Sequence, residues 1–137
     1  LNDNMGIYIV SQVTKLMISK SIEVKNSNVL IMGLAFKENC PDFRNTMVSN
    51  MIEELNRLKC NTDIYDPWVN KKEVFIEHGI TLIKDPENKA YDAIIIAVAH
   101  EDFKELGIEN IKGFGNEEHI IYDVKHLYSL ENSDGRL

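Results

Sequence analysis

Apolar residues in this chain switch between a helical and a strand period, and the switches mark its elements. Residues 3–20 place Met5, Ile9, Val13, Leu16 and Met17 on one helical stripe, yet Ile7, Tyr8, Val10 and Ile18 are apolar too. So wide an apolar arc predicts a helix buried on more than one side, with Asn2 or Asp3 as its N-cap. Ser21 to Asn28 reads as a polar connector. Val29 to Met32 is a continuous apolar run ending at Gly33, the pattern of a buried strand. A polar loop follows, then a helix over 46–59 with Met47, Val48, Met51, Ile52, Leu55 and Leu58 on one face and Thr46 as N-cap.

The alternation continues to the end of the chain. Residues 63–66 form a second strand closed by Pro67, and 70–78 a short helix stopped by Gly79. Residues 80–83 read as a third, short strand, and Pro86 opens a weak helix through Ala90. Residues 93–98 are apolar on both faces and make the strongest buried strand. A loosely helical stretch runs to Ile111, residues 120–122 form the last strand, and the chain fades into a polar tail from Leu127. Strands alternating with helices at this spacing predict an α/β fold with a Rossmann-like, doubly wound parallel sheet. The right-handed crossover rule sets the loops after residues 33, 66 and 98 along one edge. Lys37, Arg44, Asp66 and His100 are therefore expected on a shared rim. Residues 1–27 read as helix and connector, and 28–137 as the sheet domain.

Composition narrows the function. A length of 137 residues suits one domain with a real core. A net charge of -7 argues against a broad nucleic-acid surface, although a few placed cations suffice for a phosphate. Cys40 and Cys60 have no metal-ligand spacing, which predicts a reduced, cytoplasmic protein without a metal site. No apolar stretch is long enough to span a membrane. The missing initiator methionine predicts a piece of a longer protein.

The chemistry gathers in the loop Gly33–Asn45, G-L-A-F-K-E-N-C-P-D-F-R-N, where Lys37 and Arg44 flank Asp42. Open α/β sheets bind ligands at such a place, beyond the carboxyl ends of the strands. The glycine fingerprint of a dinucleotide site is absent, since Gly33 is followed by Leu34, Ala35 and Phe36. The loop resembles the G-x-A-F-K-x-x-x-x-D-x-R-x-S/T signature of the UDP-glucose/GDP-mannose dehydrogenase family, which opens that family's C-terminal, nucleotide-sugar-binding domain. Tyr65, Asp66 and Pro67 resemble its Y-D-P, residues 97–100 its A-V-x-H/T, and residues 122–125 its D-x-K/R. Asn2, Asp3, Met5 and Tyr8 resemble the start of its long central helix. The wording around Cys40 is most similar to the branch that oxidises UDP-N-acetylhexosamines for bacterial surface polysaccharides.

The resemblance implies an NAD-dependent oxidation of a sugar C6 alcohol to a carboxylate in two steps. It places the NAD fingerprint and the cysteine nucleophile in a preceding part of the enzyme, so this chain holds no catalytic residue and is inactive alone. Lys37 and Lys125 are implied to contact the UDP-sugar, and Arg44 to reach NAD held mainly by an N-terminal domain. The helix over 3–20 is implied to join the subunit halves and to pack in a homodimer. Bland readings stand beside these: solvated lysines, and an arginine that braces the loop through Asp42. Asp66 reads as a ribose-binding acid or as an Asp-Pro turn, and His100 as structural or a wall of the cleft. Cys40 reads as packing rather than as a nucleophile. A free-standing Rossmann-like binding module is the rival interpretation. A phosphoacceptor receiver domain lacks its acidic pair here and is set aside.

Overall fold

The computed structural model describes residues 4–137. Five parallel strands lie in the order β2-β1-β3-β4-β5: β1 (Asn28–Met32), β2 (Asn61–Tyr65), β3 (Tyr91–Ile96), β4 (Gly115–Asp123) and β5 (Gly135–Arg136). Register runs Leu30 to Asp63 on one side of β1 and Leu30 to Ile94 on the other, then Ile95 to Tyr122 and Tyr122 to Gly135. The helices are α1 (Met5–Ser19), α2 (Thr46–Arg57), α3 (Lys71–His78), α4 (Glu101–Leu106) and α5 (Ile108–Phe114). The chain moves outward from β1 to β2, then crosses back to β3, so the order reverses between β1 and β3. That reversal leaves a crevice at the strands' carboxyl ends.

The period-two alternation of β1, β3 and β4 splits their side chains between two cores. Val29, Ile31, Ala93, Ile95, Ile120 and Tyr122 pack with residues of α1, α2 and α3. Leu30, Met32, Ile94, Ile96 and Ile121 pack with Phe103, Ile111 and Phe114 of α4 and α5. Continuous apolar runs in β1 and β3 follow from this, since both faces are covered.

Helix α1 contributes Ile9, Val10, Val13 and Met17 to the first core, all fully buried. Each such side chain contributes about 1.5–3 kcal/mol when removed from water. Gly6 lets α1 close on α2, because a Cβ there would sit 3.0 Å from both Asn50 Cβ and Met51 N. One flank of α1 stays open, with Ile7, Tyr8 and Ile18 exposed.

Several expectations are corrected. The first helix begins at Met5; Asn4 holds the N-cap position without a side-chain bond, and Asn2 and Asp3 lie outside the described residues. Asn45, not Thr46, caps α2: its Oδ1 accepts from Val48 N at 3.1 Å while its Nδ2 donates to Ala35 O at 2.9 Å. Asparagine carries its acceptor and its donor on two separate atoms, so one side chain caps the helix and also ties it to the preceding loop. Residues 80–83 do not form a strand; one bond, Ile83 N to Ile64 O at 3.0 Å, tacks them to β2. The helix expected after Pro86 is absent, and turns replace it. The tail is built rather than frayed. Asp134 accepts from Ile121 N at 2.8 Å, donates its own N–H to Ile121 O, and pairs with Lys20 at 3.0 Å, delivering Gly135–Arg136 to the sheet as β5.

Candidate functional site

The loop between β1 and α2 leaves the sheet at the β1/β3 reversal and is held from below by buried polar groups. Asp66, at the end of β2, is 2% exposed, and its Oδ2 accepts from Leu34 N at 2.7 Å and Ala35 N at 2.8 Å. Its Oδ1 accepts from Trp68 N at 2.8 Å, closing the Asp-Pro turn. His100, fully buried, places Nε2 3.0 Å from the same Oδ2, and its Nδ1 accepts from Asn39 N at 2.9 Å. Asn39 in turn offers Oδ1 to Glu101 N at 3.0 Å, capping α4 from across the crevice. Burial would raise the Asp66 pKa, but hydrogen bonds from His100 and from the Leu34 and Trp68 N–H groups outweigh it, and the carboxyl lies below its ordinary value.

Asp66 and His100 are therefore not rim residues. They lie beneath the loop as its support, which agrees with the turn reading of Asp66 and the structural reading of His100. Lys37 is exposed and forms no hydrogen bond or ion pair with any described residue. Arg44 is exposed as well, with Nε and Nη2 both engaged by the Asp42 carboxylate. Those bonds, with the Arg44 backbone N–H, hold Asp42 at a pKa of about 2, so the pair stays ionised through the neutral range. The Nη1 group takes no part in that pairing.

A cleft of about 330 Å³ gathers two of the three expected binding residues, Arg44 and Lys125, with Phe36, Asn45, Met47 and Met5 around them. Lys37 follows Phe36 on the same loop but does not line this cleft. A larger groove of about 730 Å³ lies between α1 and α2, lined by Glu53, Glu54 and Arg57 among others. Its two carboxylates make it a poor host for a phosphate. Sequence reasoning missed Asn39 and Asn45. Asn39 carries a signal in retrospect: its φ of 54° is a conformation that asparagine tolerates better than most residues. Among the described residues no three His, Cys, Asp or Glu side chains form a metal-binding group, and no helix is long and apolar enough to cross a membrane. Cys40 and Cys60 are both free thiols, the latter buried against Ser27 and Val24 O.

A sequence model of the UDP-glucose/GDP-mannose dehydrogenase family, UDP binding domain, matches residues 30–130. This chain belongs to that family. It is 50% identical over its whole length to a UDP-N-acetyl-D-glucosamine 6-dehydrogenase of Salmonella typhi and 39% identical, over 98% of its length, to Protein CapL of Staphylococcus aureus. It spans about a third of those relatives, 32% and 31% respectively. Its fold superposes on an NDP-N-acetyl-D-galactosaminuronic acid dehydrogenase of Methanosarcina mazei with a TM-score of 0.82, at 17% identity, covering 95% of this chain and 27% of that one. The likeness to the Methanosarcina protein shows the fold alone.

Proposed function

We propose that this chain is the nucleotide-sugar-binding part of an NAD-dependent UDP-sugar 6-dehydrogenase. The enzyme oxidises a UDP-N-acetylhexosamine or UDP-hexose to its uronic acid for surface or capsular polysaccharide. The observation that carries this reading is the whole-length 50% identity to the Salmonella enzyme, in a chain whose signature loop lies at the sheet's ligand-binding crevice. Lys37 and Lys125 offset the negative charge of the nucleotide-sugar as compact cations. Arg44 reaches NAD, its fork held in one orientation by Asp42. Arg44 would help hold NAD, which when bound would supply the hydride acceptor for the oxidation. This chain's residues fit a supporting role towards it only, because the Gly33 loop lacks the glycines that let backbone approach a pyrophosphate. The fingerprint and nucleophile belong to a preceding N-terminal domain, and the free thiols support a reducing, cytoplasmic setting.

The shared cleft supports these roles, since hydride transfer needs the two ligands side by side and Arg44 and Lys125 line one space. In the protein at its natural length, Lys37→Ala and Lys125→Ala should weaken the nucleotide-sugar, and Arg44→Ala should weaken NAD. Charge-assisted contacts are worth about 1.5–3 kcal/mol, or roughly 10- to 150-fold in the affected constant. Saturation curves for both ligands, with melting as a folding control, decide the matter. Equal losses for both ligands, accompanied by a collapse in melting temperature, would mean that these side chains only brace the loop.

A homodimer through α1 belongs to the same proposal. Support comes from the open flank of Ile7, Tyr8 and Ile18, 46%, 50% and 65% exposed on a helix whose other side is fully buried. Deleting the helix would uncover Ile120 and Tyr122 of the sheet, so point changes are the better probe. Tyr8→Glu with Ile18→Glu should give a folded monomer in sedimentation. A dimer of undiminished affinity would place the interface elsewhere.

A further inference from the structure

We propose that Asn39 and His100 are positioning residues for Lys37, acting through a neutral His100 ring of fixed tautomer. The inference rests on the reading that Lys37 contacts the nucleotide-sugar. Lys37 is the midpoint of a five-residue span whose two ends are tied to one buried pair. Ala35 N donates to Asp66 Oδ2 at 2.8 Å, and Asn39 N donates to His100 Nδ1 at 2.9 Å. The pair is closed by the 3.0 Å contact between His100 Nε2 and that same Asp66 oxygen. A backbone N–H can only donate, so Nδ1 carries no proton, and the one ring proton of neutral imidazole sits on Nε2, where it donates to Asp66.

The ring has no freedom to turn. Trp68 stacks on it at 6.0 Å and 24°, and Phe103 meets it edge-on at 5.2 Å and 68°. Trp68 is fixed in turn by Nε1 donating to Asp102 at 2.7 Å. Asn39 completes the clamp by fastening the loop to Glu101 N, so the far end of the span cannot lift without uncapping α4. An exposed lysine with no described partner is thus mounted on backbone anchored on both sides, which lowers the entropy lost when a ligand immobilises it.

Two replacements of His100 separate its two bonds. His100→Asn keeps an acceptor near the Nδ1 position for Asn39 N, whereas His100→Gln keeps a donor for Asp66 and loses that acceptor. With UDP-N-acetylglucosamine as the probe and the protein at its natural length, His100→Gln should raise Kd at least about fivefold, and His100→Asn clearly less. Combined with Lys37→Ala, His100→Gln should add nothing, because a displaced loop cannot weaken a contact already removed. Asn39→Ala, at an exposed position outside the core, should repeat the effect if His100 variants fold poorly, and Asn39→Asp should restore affinity. Nitrogen-15 spectra of the 137-residue chain should show His100 as the Nε2–H tautomer, and the fluorescence of Trp68, the single tryptophan, should change in His100→Gln.

Additive losses in the double variant, unchanged affinity in folded His100→Gln and Asn39→Ala, or a proton on Nδ1 would each overturn the proposal. If Lys37→Ala itself binds the probe normally, the reading of Lys37 fails first and the positioning role falls with it. Normal tautomer and fluorescence signals would then show that the clamp exists and serves the fold alone.

Discussion

Asp66→Ala should destabilise the chain by about 3–5 kcal/mol, the range for removing one partner of a buried ionic or hydrogen-bonded pair. The carboxylate is fully buried and serves four donors: Leu34 N, Ala35 N, Trp68 N and His100 Nε2. Alanine leaves all four without an acceptor, three of them (Leu34 N, Ala35 N and His100 Nε2) in a region closed to water, and the cost is chiefly that of desolvated groups rather than of lost attraction. Asp66→Asn retains one carbonyl oxygen and should fall between the two. Urea unfolding of the three proteins gives the order directly. The pH dependence has a definite sign as well. The Asp66 pKa is lower folded than its ordinary 3.8, so its contribution is fully present above that value and is lost as pH falls through the folded one. Wild type should therefore lose stability faster than Asp66→Asn below about pH 3.8, and parallel curves would show that the carboxylate's charge is not what holds the loop.

The dependence of four donors on one oxygen pair explains what the sequence could and could not disclose. Periodicity exposed β1 and β3, because both are apolar on two faces, and it exposed α2, whose single buried stripe of Val48, Met51 and Leu55 is unambiguous. Gly79 was readable as a stop since a left-handed C-cap favours glycine, and its φ is 68°. Residues 80–83 mislead because four apolar-rich residues look the same whether they pair along a strand or merely cover an edge through one bond. Strand β5 is illegible for the opposite reason. Gly135 and Arg136 carry no strand propensity, and their placement depends on Asp134 finding Ile121 and Lys20.

The site shows the same division between local and distant information. Lys37, Arg44 and Lys125 were readable as cations near strand ends, the first two within the family's signature loop and the third in its separate D-x-K/R stretch. That Arg44 and Lys125 share a cleft while Lys37 lies outside its lining depends on loop geometry that no spacing encodes. His100 and Asp66 lie 34 positions apart, and Asn39 and His100 61 apart. Parallel strands carry their loops to one edge, so such partners meet only after the crossovers are made. The apolar breadth of α1 was legible, but not its division into a buried side against α2 and the sheet and an open side at Ile7, Tyr8 and Ile18.

Gly33→Ala should be the most damaging single-methyl change near the site, at about 3 kcal/mol or more, combining strain with overpacking. Gly33 ends β1 with φ of 113°, a conformation L side chains rarely adopt, and its N–H is held by Tyr65 O at 2.8 Å. A Cβ there would lie 2.6 Å from Val98 Cβ, 2.7 Å from Val98 Cγ2 and 2.9 Å from Val98 N. The nature of those atoms decides how the damage can be relieved. Val98→Ala removes the Cγ2 contact only; the Cβ and the backbone nitrogen remain, and so does the strained φ. The double variant should therefore recover less than half of the lost stability in urea unfolding. Full recovery would mean that the clash lies with the tip of a side chain that can yield, and that β1 and β3 approach less tightly at the crevice than the structure shows. Because Gly33 precedes Leu34 and Ala35, whose N–H groups reach Asp66, any shift of β1 that accommodates the methyl also drags the loop off its anchor. Affinity for the proposed UDP-sugar ligand should then fall even in the fraction that remains folded, and a variant that unfolds early yet binds that ligand normally would separate the strand's stability from the placement of the loop.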